Sequence, residues 1–321
     1  MPQDDHHPHS LRESSEKGEA GIGRRAFLAA SAAATAVLAS SRTSFAQNQP
    51  PGPFVPTSEA ATSDTVKVER LDGSILQIGI DRQQSNRIAF SAYVGLGRAY
   101  HLLDHDEALR AAVLYAQGPD FVGGILDPAS WTPILRSGRF PQTHEFIDPI
   151  GMVPPRREKP VIIAVQGKTQ GAGHELFLAA DIRVAASDTV FSQGEVTRGH
   201  FPAGGATIRF VREAGWGNAM RYMLTGDEWG ADEAYRLGLV QYVTPPGMQL
   251  DRAIEVARKI AAAAPLGIRA TLDSANRALN DGQEAALAAL LPELGRLAQS
   301  DDHQEYFRAL QEKRAPSYRG R

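Results

Sequence analysis

The residues of this chain best suited to chemistry are two carboxylates and two glycine turns. Glu175 follows Gly171-Ala172-Gly173 at the expected start of a helix. Glu195 comes twenty residues later, past a strand and just before another glycine-rich turn. A turn that opens a helix leaves backbone N–H groups pointing outward at the positive end of the macrodipole. Side chains no larger than methyl let a ligand approach that backbone. Gly123-Gly124 closes a buried strand in the same manner. With both turns on one cleft, the N–H groups of Ile125 and Ala172 grip a single carbonyl oxygen and stabilise an enolate. Glu175 and Glu195 then share one water. One carboxylate takes a proton from it, and the other delivers a proton to the α-carbon of a double bond conjugated to that carbonyl. A shared, partly buried position raises at least one carboxylate pKa. Residue types alone leave a plainer reading open, with Glu175 a first-turn residue favoured by the macrodipole and Glu195 an exposed loop residue.

Other chemistries fail on their motifs. His174-Glu175 begins like a zinc-protease H-E-x-x-H, but position 178 is leucine. G-x-S-x-G and G-x-x-x-x-G-K-[ST] do not occur, and Gly95-Leu96-Gly97 lacks the third glycine of a dinucleotide fingerprint. The chain has no cysteine, which excludes disulfides, thiolate catalysis and Cys-ligated zinc. A net charge of −3 gives no general pull toward nucleic acid or anionic lipid. His174 and His200 are proton-carrier candidates, although lone histidines are more often structural. Trp216, Trp229 and Phe201 read as packing residues.

The elements that must position these groups form an α/β pattern. Val66 to Arg70 and Ser74 to Ile80 alternate around an Asp72-Gly73 turn, as a β-hairpin does. Residues 91–104 have helical spacing, and Ala111 to Ala116 and Val161 to Val165 are buried strands. Strands recurring with helices give an α/β core over 66–248. From 249 to 321 the pattern is helical, at about 250–263, 266–280, 283–299 and 301–312.

The first 46 residues read as a leader. Arg24-Arg25 precedes an apolar, alanine-rich run from Phe27 to about Ser40, and Ser44-Phe45-Ala46 offers small residues to a signal peptidase. The run is too short to span a bilayer well. The pattern resembles a twin-arginine translocation signal, implying a periplasmic destination, or a cytoplasmic one if the leader is not used. Removing it takes five basic and five acidic residues and leaves the net charge at −3. Residues 47–65, rich in Pro, Ser and Thr, read as an extended linker. His6, His7 and His9 belong to the leader and read as a solvated tail.

From about Val66 to Arg321 the chain resembles the crotonase superfamily, which includes enoyl-CoA hydratases and isomerases. KPVIIAVQG, GAGHEL, FSQGEV, LTGD and the ending EKRAPSYRGR carry the resemblance in the family's order. It implies a spiral of β-β-α units with a C-terminal helical region, assembled as homotrimers or hexamers. It implies an oxyanion hole from the N–H groups of Ile125 and Ala172, and Glu175 and Glu195 as the two catalytic glutamates. Gly124, Gly171, Arg82, Arg87 and Lys313 fall where the family meets its acyl-coenzyme A substrate. No cofactor is implied beyond coenzyme A as part of that substrate. The chain departs from the pattern in its Gly-Ala-Gly central turn, in Gly123-Gly124-Ile125-Leu126 where Ala-Gly-Ala-Asp is usual, and in its leader. Three readings follow. The first is hydration of an enoyl thioester. The second is a hydrolase or isomerase acting on a carbonyl compound without coenzyme A, such as a diketone. The third is an exported binding protein that keeps the fold without the chemistry.

Overall fold

The computed structural model describes residues 66–81, 87–123, 125–139 and 143–321, with Ile125 described by its backbone. The expected leader and linker, Arg82 and Gly124 lie outside the described residues. Twelve strands are described: β1 (Val66–Leu71), β2 (Ile75–Ile80), β3 (Arg87–Ile88), β4 (Ala111–Ala116), β5 (Val122–Gly123), β6 (Ile125–Leu126), β7 (Val161–Val165), β8 (Lys168–Gln170), β9 (Ile182–Ala186), β10 (Val190–Ser192), β11 (Glu228–Gly230) and β12 (Tyr242–Thr244). The described α-helices are α1 (Phe90–His105), α2 (Pro128–Ser137), α3 (Ala172–Ala179), α4 (Ala206–Ala214), α5 (Trp216–Thr225), α6 (Ala231–Arg236), α7 (Gln249–Ala261), α8 (Pro265–Asn280), α9 (Gln283–Ala298) and α10 (Asp301–Glu312). A 3₁₀ turn spans Glu195–Arg198.

The hairpin forms at Asp72-Gly73, where both residues have positive φ and Ser74 N–H donates to Leu71 C=O. That is the turn geometry whose twist suits paired strands. The expected alternation is absent on both strands. β1 is an exposed sheet edge, whereas β2 is buried almost throughout because β4 lies on its other side.

Six strands run in the order β1-β2-β4-β7-β9-β12, parallel apart from β1 against β2. A second sheet runs β11-β10-β8-β5. Each winding turn places one strand in the large sheet and the next in the small one, then a helix: β4-β5 with α2, β7-β8 with α3, and β9-β10 with α4. This is the expected spiral of β-β-α units. β4 and β7 are buried on both faces, as parallel strands usually are. Ala112, Leu114, Ile163 and Val165 face the main core, and Ala111, Val113, Ile162 and Ala164 face α7. On α7, Ala253, Val256 and Ala257 share one helical face and cover the sheet.

Beyond α7 the helices expose more than they bury. α8 has no buried residue, and Leu287, Leu290, Leu291 and Leu294 of α9 are exposed. The tail returns to the sheet, where Arg110 donates to Tyr318 C=O, and Asp302 accepts from the N–H groups of Arg319 and Gly320. Among the described residues no helix is long and apolar enough to cross a membrane.

Candidate active site

Parallel pairing of β8 and β10 sets the frame. Gln170 pairs with Ser192, and Gly171 N–H then donates to Ser192 C=O at 2.9 Å. The chain leaves β8 through Gly171, whose φ of 52° and ψ of −120° favour glycine. Ala172 opens α3, so its N–H has no acceptor within the helix. A Cβ on Gly173 would lie 2.5 Å from Val122 Cβ and 2.8 Å from Val122 C=O. Glycine there lets α3 press onto β5, the strand that leads into β6. β5 at Val122 is thereby brought beside the first turn, and β6 begins at Ile125, paired in parallel with Arg87 on β3.

Glu175 lies in the first turn of α3 and is buried. Its Oε1 accepts from Gly204 N–H at 2.6 Å and from Ala206 N–H at 3.3 Å. A Cβ on Gly204 would come within 2.3 Å of Glu175 Oε2. The Gly204-Gly205 turn is therefore a seat for the carboxylate. Glu195 opens the 3₁₀ turn after β10 and is only 5% exposed, which overturns the reading as an exposed loop residue. Its Oε1 stands 4.0 Å from Arg198, and its Oε2 has no hydrogen-bond partner among the described residues. The two carboxylates are near enough to interact. Burial first, and then the charge of Glu195, push Glu175 up to about 7; the N–H groups of Ala206 and Gly204 and the charge of Arg209 oppose them.

Three further residues complete the surroundings without having stood out in the sequence. Asp148 is buried and accepts from Tyr93 O–H and from the N–H groups of Ile150, Met152 and Val153, which shapes the loop beside Glu175. Burial and then the Asp148 charge hold the Tyr93 phenol well above its ordinary value, with Glu175 a smaller contributor. Arg209 donates to Ile150 C=O at 2.6 Å and to Gly204 C=O at 3.3 Å, joining that loop to the seat of Glu175. The only available signal was composition: a lone aspartate before proline and an arginine one turn into a helix.

Other candidates fall elsewhere. Arg87 is exposed and reaches the site only through the register of its backbone with Ile125. Lys313 is exposed in the left-handed cap of α10. His200 is exposed, while His174 is wholly buried. Trp229 is a packing residue, but Trp216 and Phe201 are 71% and 63% exposed and are not. Trp216 opens α5 and Phe201 lies in the loop before α4, and at neither place does aromatic type say which side faces the core.

The enoyl-CoA hydratase/isomerase family model matches residues 70–321. The chain is 37% identical over 167 residues to the 2,3-dehydroadipyl-CoA hydratase of Escherichia coli, covering 51% of this chain and 64% of that enzyme's length. It is 32% identical over 236 residues to the enoyl-CoA hydratase EchA19 of Mycobacterium tuberculosis, covering 70% and 85%. Its fold is similar to the crystal structure of a probable enoyl-CoA hydratase/isomerase from Mycobacterium abscessus, with a TM-score of 0.77 and 41% identity over 80% of this chain and 99% of that one. A buried pair of glutamates beside a helix-opening turn thus stands in a chain that belongs to the enoyl-CoA hydratase/isomerase family.

Proposed function

We propose that the protein adds water across the double bond of an α,β-unsaturated acyl thioester of coenzyme A. The observation that carries this is the buried Glu175, held by Gly204 and Ala206 and pushed up to about 7 beside the buried Glu195. A carboxyl pushed up to about 7 gives and takes a proton near neutrality, so Glu175 and Glu195 together supply the acid and the base of the reaction. The base takes a proton from water as its oxygen bonds to the β-carbon. The electrons of the double bond move onto the thioester oxygen, where the N–H groups of Ile125 and Ala172 receive the charge. The acid then protonates the α-carbon, giving the 3-hydroxyacyl thioester. Coenzyme A enters only as part of the substrate, with Arg82, Arg87, Gly124, Gly171 and Lys313 the residues offered to it.

Loss of the conjugated-thioester absorbance measures this reaction directly. Glu175→Gln and Glu195→Gln should each lower kcat at least ~100-fold. Unchanged rates in both variants would overturn the assignment.

The leader favours a second reading. A twin-arginine signal at Arg24-Arg25 would carry the folded protein to the periplasm, away from the cytoplasmic pool of coenzyme A. The same site would then act on a carbonyl compound that is not a thioester. N-terminal sequencing of the mature protein, expected to begin at Gln47, tests export. Calorimetry with coenzyme A separates the readings, since micromolar binding sinks the second. The exposed leucines of α8 and α9 are offered to other copies of the chain in a homotrimer or hexamer.

A further inference from the structure

The two glutamates are carried by segments joined twice. Gly171 N–H bonds to Ser192 C=O, and just beyond that point His174 Nδ1 meets Gln193 Oε1 at 2.5 Å. His174 immediately precedes Glu175, and Gln193 stands two residues before Glu195. Successive helical side chains diverge by about 100°. While Glu175 turns to the Gly204 seat, His174 turns to the opposite interior, among Phe177, Phe191, Phe210 and Trp229 at ring separations of 5.1–5.9 Å.

We propose that the His174–Gln193 hydrogen bond is a positioning device that sets the separation and orientation of Glu175 and Glu195. The proposal rests on the hydratase reading of those glutamates and assigns a role to two residues that touch no substrate.

The surroundings argue against plain core filling. Both side chains are fully buried. Each keeps one polar atom, His174 Nε2 and Gln193 Nε2, without a hydrogen-bond partner among the described residues. Burying such atoms is unfavourable, and two apolar side chains of similar shape would fill the space at no such cost. The imidazole is also unsuited to carry a proton here, because burial pulls it down to about 4. Neutral, it bears its hydrogen on Nδ1 and donates to the amide oxygen. What the pair supplies is a directional link, stiffened by aromatic packing, between the segments bearing the two acids.

The test uses the full-length wild type, His174→Phe, Gln193→Leu and the double variant. Positioning predicts that the double variant melts at or above the wild-type temperature while kcat falls roughly 10- to 100-fold and KM changes less than about two-fold. It also predicts a downward shift of about one unit in the ionisation near pH 7, as Glu175 loses its fixed proximity to Glu195. A lower melting temperature with kcat and pH profile unchanged would show a merely structural pair and overturn the proposal. If the double variant does not fold, Gln193→Met, which leaves the His174 ring in place, carries the same expectations for kcat, KM and the pH profile, with a lower melting temperature because the buried Nδ1–H loses its acceptor. Failure of the hydratase reading is recognised separately, by a wild type as inactive on enoyl thioesters as Glu175→Gln. In that case the carboxyl infrared band of Glu175, assigned by its absence in Glu175→Gln, reports the same downward shift in Gln193→Met. An unmoved band rejects the positioning role whatever the substrate.

Discussion

Glu175 owes its acid–base character to where it sits. Glutamate ordinarily ionises at 4.5, yet here burial and the neighbouring Glu195 push it up to about 7. Between those two values the folded chain holds this proton more tightly than the unfolded chain does. The resulting stabilisation is whole below about pH 4.5 and is lost as pH rises through about 7. Glu175→Gln stays uncharged and still accepts from Gly204. It should therefore match wild type near pH 4.5 and exceed it near pH 8 by at most on the order of 3 kcal/mol. Thermal melts at the two pH values check this, and equal stability at both would mean that the carboxylate ionises freely. Gly204→Ala acts on the same group from the other side. Its methyl would occupy the space 2.3 Å from Glu175 Oε2, so kcat should fall about 100-fold as the carboxylate is displaced.

At the level of elements, the site depends on how closely α3 approaches β5. Gly173→Ala would drive a methyl into Val122 and force the two apart. A destabilisation of about 1–3 kcal/mol is expected in chemical denaturation. On the proposed mechanism this would pull apart the N–H groups of Ile125 and Ala172, so kcat should fall by more than the folded fraction accounts for. Lys159 shows how another motif residue serves the frame. It is buried at the start of KPVIIAVQG, and its ammonium donates to the C=O groups of Leu103 and Asp106 at the end of α1 at 2.8 Å each. Burial lowers its pKa, and the helix carbonyls keep the charge in place. The sequence showed a lysine before a strand but could not show that it closes a helix more than fifty residues earlier.

At the scale of the whole molecule, the C-terminal helices present Leu287, Leu290, Leu291 and Leu294 at 47–77% exposure. A contiguous apolar face of this kind is a usual sign of an interaction surface. Light scattering should give a mass of three or six chains, and Leu291→Glu with Leu294→Glu should shift it toward the single chain. A monomeric wild type would remove the assembly from the proposed function.

Local rules made much of this protein legible in advance. Continuous apolar runs marked β4 and β7, helical spacing marked α1 and the C-terminal helices, and Asp72-Gly73 marked the hairpin turn. The order of motifs from Lys159 to Pro246 carried the family resemblance and pointed to Glu175 and Glu195. Only the tertiary structure decided the rest. The burial of Glu195, the Gly204 seat, the Asp148–Tyr93 and Arg209 contacts and the His174–Gln193 link all join residues distant in sequence. Composition and periodicity report which face of an element is apolar, but not which distant group meets it. The proton affinity of Glu175 depends on that meeting, because desolvation and a neighbouring charge exist only once the chain has folded around them.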